Sequence, residues 1–321
     1  MRAAVITALT GPDAVEVQER PEPVPESHQV LIDVEYAGVA FPDVLQTRGL
    51  YQRRPDLPFT PGWEVSGVVR ADAGGFRAGD RVAAMPITGG LAESVAVDGH
   101  MVFPLPDGLP LDKAAALPLN YLTAHFALTR RAQLRRDETV LVHGAAGGLG
   151  TAACQLAAAC GARVIAVVST PEKGEVARAA GAHDVVPVDG FRDEVRRLTG
   201  GVGVHVIVDP VGGDRFTDSL RSLAREGRLL VLGFTGGEIP TVKVNRLLLT
   251  NTSVLGVASA EFWSDEPDHP GRQWRELVPL IESGAIDPPI GPVFPLEDAA
   301  GAIRELDERR AAGRVLIRTR S

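Results

Sequence analysis

The stretch TVLVHGAAGGLG, residues 139–150, decides the fold. It begins as a β-branched apolar run, breaks after His143 into a turn rich in glycine, and opens onto an alanine-rich helical pattern. A buried parallel strand ending in such a turn lets the backbone approach a pyrophosphate, and the helix that follows offers it free N–H groups and a positive dipole end. The dinucleotide fingerprint G-x-G-x-x-G wants glycine at 145, 147 and 150, where this chain has Ala145, Gly147 and Gly150. Alone, the stretch reads equally as a dinucleotide cradle or as an ordinary Gly-rich turn between a strand and a helix.

The following residues favour the cradle. Thr151–Gly161 reads as a helix, Arg163–Val168 as a second buried strand, Pro171–Ala180 as a second helix and Val185–Val188 as a short third strand. Two more apolar runs, Val204–Val208 and Arg228–Leu232, end in turns with Pro or Gly, and Ser253–Val257 supplies a sixth strand. Six strands with intervening helices match the doubly wound dinucleotide fold, with ligand at the carboxyl ends of the strands. No Gly-Lys-Ser/Thr follows the glycines, which disfavours a P-loop.

The end of the second strand bears on which dinucleotide. NAD sites place an acid about 20 residues after the glycines, whereas NADP sites favour cations and hydroxyls near the 2′-phosphate. Here the chain runs Val167-Val168-Ser169-Thr170-Pro171-Glu172-Lys173, with no acid ending the strand. The other cations nearby are arginines, and Lys113, Lys173 and Lys243 are the only lysines. Ser169 and Lys173 therefore point to NADPH. Lys173 reads alternatively as a solvated cation in a first helical turn, where the dipole slightly disfavours it, and Glu172 is the residue that would contradict NADPH if it faced the ribose.

The 321 residues suffice for two domains. A net charge of −8 gives no electrostatic case for nucleic acid or an anionic membrane. The longest apolar stretch, Ala152–Val168, is broken by Gln155, Gly161 and Arg163 and is too polar to span a bilayer. Met1–Val5 runs directly into a strand-like segment, without the apolar core of a signal peptide. Only Cys154 and Cys160 are present, which excludes a disulfide framework and suits a cytoplasmic protein.

The N-terminal third has a different texture. Val15–Glu19, Gln29–Tyr36, Glu64–Val69, Arg81–Ala84 and Glu93–Val97 are short strand-like runs separated by Gly and Pro, as in a compact β-rich domain. The C-terminal tail returns to that texture after helical segments over Gln273–Ser283 and Leu296–Leu306, ending in a strand over Arg314–Ile317. A domain built from both ends of the chain, with the nucleotide fold inserted between them, explains this.

The string Gly38-Val39-Ala40-Phe41-Pro42-Asp43-Val44-Leu45-Gln46-Thr47-Arg48-Gly49-Leu50-Tyr51 resembles the N-terminal signature of the quinone oxidoreductase, or zeta-crystallin-like, branch of the medium-chain dehydrogenases/reductases. Pro58-Phe59-Thr60-Pro61-Gly62-Trp63-Glu64, Gly79-Asp80-Arg81-Val82, Gly90-Leu91-Ala92-Glu93, Ala114-Ala115-Ala116-Leu117-Pro118, Leu122-Thr123-Ala124 and Gly144–Gly150 follow in the family's order, so the resemblance covers nearly the whole chain. It implies an α/β protein with a GroES-like β-rich catalytic domain formed from both termini (residues 1–122 and 261–321), a central Rossmann domain with a doubly wound parallel sheet (residues 123–260), and an active site in the cleft between the two.

Many members of this superfamily are zinc alcohol dehydrogenases, and zinc needs thiolate, imidazole or carboxylate ligands. The family's first cysteine position is Ala40, and its Gly-His-Glu motif reads Gly62-Trp63-Glu64. Neither Ala nor Trp ligates zinc. The cysteine-rich structural lobe is missing too, so no metal is expected. Glu64 is left as a carboxylate without partners, suited to a structural hydrogen bond. Without a Lewis acid, the feasible acceptors are those whose conjugation spreads the incoming charge, a quinone or an α,β-unsaturated carbonyl.

For the acceptor pocket the candidates are Tyr51, with Phe41 as an apolar or stacking wall and Asp43 as a polar anchor, although beside Pro42 it equally suits a helix N-cap. Relatives often carry Asn at the position of Ala40, and Ala offers no such donor. For the cofactor, the turn supplies Ala146, Gly147, Gly148 and Leu149. The resemblance assigns the nicotinamide side to Thr123, Gly233, Phe234, Gly256 and Val257, and the ribose phosphate to Ser169 and Lys173. It also places Arg314 near the cofactor, the alternative being a surface cation that starts the last strand. His143 reads as a buried, hydrogen-bonded histidine rather than a general acid. The expected function is an NADPH-dependent, zinc-independent reductase acting as a homodimer paired through the edge strand Ser253–Val257. The alternatives are an enoyl-thioester reductase, for whose carrier Arg246 and Arg272 offer cations, and a nucleotide-binding protein without catalysis.

Overall fold

Thr139–His143 (β1) is buried from Val140 onward and lies at the middle of a six-stranded sheet. The structure is a computed structural model and describes residues 1–320. The other five strands are Arg163–Val168 (β2), Asp184–Pro187 (β3), Val204–Asp209 (β4), Leu223–Val231 (β5) and Ser253–Gly256 (β6). They run parallel in the order β3-β2-β1-β4-β5-β6. The chain therefore winds outward from β1 in both directions, and the loops after β1 and β4 diverge at the topological switch point.

The local reasons are visible in the strands. β1 and β2 read as continuous apolar runs because parallel strands are covered on both faces. Their Leu141, Ile165 and Val167 form one core with Ile207, Leu229, Phe191 and Phe216. The helix Gly148–Ala159 (α1) starts three residues earlier than its alanine pattern, because Gly147 adopts the extended N-cap conformation. Its Thr151–Ala157 segment is buried, and residues this small let it lie close to the sheet. β5 begins five residues ahead of its apolar run, with a register shift against β4 between Val204 and Val206.

Contacts divide the described residues into two compact units. The nucleotide unit comprises Asn120–Pro267 and Arg275–Asp287, so it extends beyond the expected 123–260. The segment 275–287 was expected with the C-terminal catalytic part; it belongs with the nucleotide fold because Gln155 bonds both Asp287 backbone groups and His125 pairs with Glu276 at 3.1 Å.

The other unit takes Met1–Leu119, Asp268–Trp274 and the residues from Pro288. Its seven-stranded sheet runs Ile290–Pro295, Arg314–Arg318, Gln29–Gly38, Glu64–Val69, Arg81–Ala84 and Val102–Pro104, with Ser94–Asp98 paired alongside Gln29–Gly38. The C-terminal strand is antiparallel to Gln29–Gly38, with Leu316 opposite Gly38, so both ends of the chain build one sheet. Among the described residues no helix is long and apolar enough to cross a membrane.

Candidate functional site

In the nucleotide unit the tight turn is made by Gly144, at φ +59°, one residue before the fingerprint's first position. Ala145 fills that position with a fully buried side chain. The absent glycine is thus a shift by one residue. Gly150 is obligatory: a Cβ there would collide with the Gly144 carbonyl oxygen and lie 2.7 Å from Ala145 Cα. With Gly147 as N-cap, the N–H groups of Gly148, Leu149 and Gly150 belong to the first turn of α1, where a helix has no internal acceptors. Ala146 is buried, while Gly147, Gly148 and Leu149 are partly exposed. A twelve-residue helix of small apolar residues opening on such a turn suits a pyrophosphate.

At the end of β2, Thr170 caps the next helix, Pro171–Ala179, accepting from Lys173 N at 3.3 Å. Ser169 is exposed and Lys173 half-buried. The Glu172 carboxylate turns back on the helix start, where its own N–H and the Thr170 hydroxyl hold it below the usual carboxylate range. Thr123 and Ser259 meet hydroxyl to hydroxyl at 3.1 Å. Gly233 and the exposed Phe234 follow β5, and Gly256 and Val257 close β6, the Val257 N–H donating to Val231 O at 3.0 Å.

His143 is fully buried, its Nε2 2.8 Å from Ser219 Oγ and its ring edge-on to Phe191. Burial pushes its pKa down to about 4 against the pull of Asp209, so the imidazole is neutral at physiological pH and unsuited to donating a proton there. Sequence reasoning missed Asp209 by ending its strand at Val208. The signal was an acid at a strand terminus directly before Pro210-Val211-Gly212-Gly213.

The other unit holds the expected acceptor residues. Phe41 opens the helix Phe41–Gln46, with Ala40 as its extended N-cap. Asp43 is corrected on two counts. It sits at the third helical position, reaching back to accept from Ala40 N at 2.7 Å, and its second oxygen accepts from Gly62 N at 3.0 Å. It is fully buried with a backbone N–H on each oxygen, so it latches two backbone segments together and is closed off from an acceptor by its burial. Burial, opposed by those N–H bonds, pushes its carboxyl up to about 7.

Trp63 is buried, its indole N–H directed at Gln46 Oε1 at 3.4 Å. Tyr51 meets it edge-on, ring centroids 5.2 Å apart. Gln46, which sequence reasoning passed over, therefore sets the indole, and the indole sets Tyr51.

Glu64 makes the structural hydrogen bond expected of it, accepting from Leu119 N at 2.7 Å, and in addition forms a buried ion pair with Arg314. Burial pushes its carboxyl up and Arg314 opposes the shift. The reading of Arg314 as a surface cation is corrected by the same bond, since the residue is 5% exposed and paired with Glu64. Among the described residues no group of three or more His, Cys, Asp or Glu side chains is arranged to hold a metal.

Comparison with known proteins agrees with this architecture. The profile described as an alcohol dehydrogenase GroES-like domain matches residues 26–107, and the one described as a zinc-binding dehydrogenase matches residues 148–283. The chain is 39% identical over 322 residues to quinone oxidoreductase-like protein 2 of Bos taurus, covering 98% of this chain and 92% of that protein. A probable oxidoreductase from Mycobacterium abscessus superimposes with a TM-score of 0.91 at 42% identity, over 99% of both chains. The quinone oxidoreductase of Thermus thermophilus, described also in complex with NADPH, gives a TM-score of 0.88 at 38% identity over 99% of this chain and 100% of that one.

Proposed function

The chain belongs to the quinone oxidoreductase branch of the medium-chain dehydrogenase/reductase superfamily, and from that premise we propose that it is an NADPH-dependent reductase of quinones or α,β-unsaturated carbonyls that works without zinc. The observation that carries the coenzyme half is the glycine turn read with the acid-free end of β2. The first-turn N–H groups of Gly148, Leu149 and Gly150 bind the pyrophosphate, and Ser169 and Lys173 bind the 2′-phosphate. Thr123, Gly233, Phe234, Gly256 and Val257 orient the nicotinamide end. NADPH held this way supplies a hydride.

On the acceptor side, the two positions at which metal-bearing relatives have ligands are occupied by the methyl of Ala40 and the buried indole of Trp63. Neither polarises a carbonyl. The acceptor's own conjugation must then carry the developing charge, which favours quinones and enones over simple ketones. Tyr51, braced by Trp63, and Phe41 supply an aromatic wall against which a flat acceptor is held, and such positioning is the main service the protein renders. Dimerisation through β6 fits its position at the sheet edge and the exposed Leu248 and Leu249 just before it, each 76% accessible.

Steady-state turnover with NADPH and 9,10-phenanthrenequinone tests the reading. Oxidation of NADPH by quinone or enone, by protein free of zinc, is expected. Tight binding of NADPH with no oxidation across quinones and enones, or activity that depends on stoichiometric zinc, overturns it.

A further inference from the structure

Asp209 ends β4 beside the end of β1, with Val208 in register with Val142, and is 1% exposed. One carboxylate oxygen, Oδ1, accepts from both Val211 N and Gly212 N at 2.9 Å. This closes the turn Pro210–Gly213 on itself. The turn in turn carries its neighbours: Leu232 N donates to Asp209 O, Thr235 N to Pro210 O and Gly236 N to Val211 O, at 2.8–3.1 Å. Gly213 N donates to Glu238 O at 3.2 Å.

The same turn touches the glycine loop. A Cβ at Gly144 would lie 3.6 Å from Val211 Cγ2, and one at Gly233 would lie 3.3 Å from Pro210 O. Gly212, at φ +63°, lies so near Phe234 that a Cβ there would be 3.0 Å from its ring. The second carboxylate oxygen, Oδ2, is buried without a hydrogen-bond partner among the described residues, as is His143 Nδ1. A half-paired buried carboxylate costs stability, so its place is explained by what its paired oxygen holds.

We propose that Asp209 is the positioning residue of the nicotinamide-side wall: its carboxylate fixes the turn Pro210–Gly213, and that turn sets the distance between Gly144 and the loop carrying Gly233 and Phe234. The proposal rests on the coenzyme reading given above. It separates two ends of one ligand, because the turn packs on Gly144, Gly233 and Phe234, whereas Ser169 and Lys173 stand at the end of β2. Both N–H donors share a single oxygen, so asparagine preserves the clamp and alanine abolishes it.

The experiment measures binding of NADPH and of 2′-phospho-ADP-ribose, which lacks the nicotinamide, to the full-length protein by calorimetry. Asp209→Ala is expected to weaken NADPH about tenfold, the scale of one lost charge-assisted hydrogen bond, while 2′-phospho-ADP-ribose changes by less than about twofold. Asp209→Asn is expected to recover NADPH affinity to within about threefold, since only the charge assistance is lost. If Asp209→Ala does not fold, Gly212→Ala perturbs the same turn through its positive φ and its approach to Phe234, and the same split is expected.

Equal weakening of both ligands, no weakening of either, or an Asp209→Asn as impaired as the alanine variant overturns the positioning role. Wild-type protein that binds neither ligand overturns the coenzyme reading itself. The two failures are thereby distinct.

Discussion

Loss of Arg314 strands Glu64. The pair is closed from water on both sides, with Glu64 0% and Arg314 5% exposed, and Glu64 then keeps only the Leu119 N–H at 2.7 Å. Removing one member of a buried pair costs about 3–5 kcal/mol, a large share of the roughly 5–15 kcal/mol that holds a typical domain together. Arg314→Met and Glu64→Gln should each fall in that range. The double variant should cost much less than their sum, because no charge is left buried alone. The Arg314→Met penalty should also depend on pH. Burial already pushes the Glu64 carboxyl up, and without Arg314 the folded state holds its proton still more tightly than the unfolded chain does. Stability of that variant is then greatest at low pH and is lost as pH rises above the unfolded carboxyl's range. Urea unfolding of the four proteins at pH 5 and pH 8, with NADPH affinity measured on each, tests the account. Additive penalties or a penalty unchanged with pH would refute the buried-pair reasoning. Unchanged stability with weakened NADPH binding would return Arg314 to the coenzyme.

Two further outcomes follow from single residues. Lys173→Ala should raise the KM for NADPH by about tenfold or more, as expected for losing a charge-assisted contact to phosphate, and leave the KM for NADH nearly unchanged; equal effects on both would remove Lys173 from the phosphate site. Asp43 should give a pH signature of definite sign. Its folded carboxyl lies near 7 and its ordinary value is 3.8, so between those pH values the native state retains a proton that the unfolded chain releases. Unfolding is then favoured as pH rises, and wild-type stability should decline relative to Asp43→Asn by up to about 4 kcal/mol from pH 4 to 7. Chemical denaturation across that window reads the difference directly, and a flat difference would mean that Asp43 is ionised throughout.

The nucleotide half was legible because its signals are local. Apolar runs of strand length, a glycine turn and an alanine-rich helix occupy neighbouring positions, and the order of the strands follows from rules of chain winding. Even the apparent defect at Ala145 was a local matter: the left-handed turn moved to Gly144, while Gly150 kept the position where a side chain cannot fit. What the sequence concealed depends on residues far apart or on polar groups that gain meaning only when buried. Arg314 and Glu64 are 250 positions apart, and no spacing or periodicity joins them. Asp43 does cap its helix from the third position, through Ala40 N, but its second partner, Gly62, lies outside any helical pattern and gave no signal.

Asp209 shows why such residues are passed over and why they matter. An acid at the end of a parallel strand is ordinarily sought as a ribose ligand, and by that criterion this one stands on the wrong strand. Its work lies instead in the backbone: one oxygen gathers two N–H groups, and the turn so formed meets the glycine loop on one side and Phe234 on the other. In the zinc-free reductase proposed above, the placement of the coenzyme and of an aromatic wall does the orienting, so rigidity within each unit carries the burden that ligand geometry carries elsewhere. The latches at Asp43 and Asp209 are the same device in two places, a buried carboxylate spent on main-chain N–H groups. Neutral amides at the two positions should therefore differ in effect. Asparagine at 209 can still receive both donors through one oxygen. At 43 the donors approach different oxygens, so an amide must leave one N–H unmet.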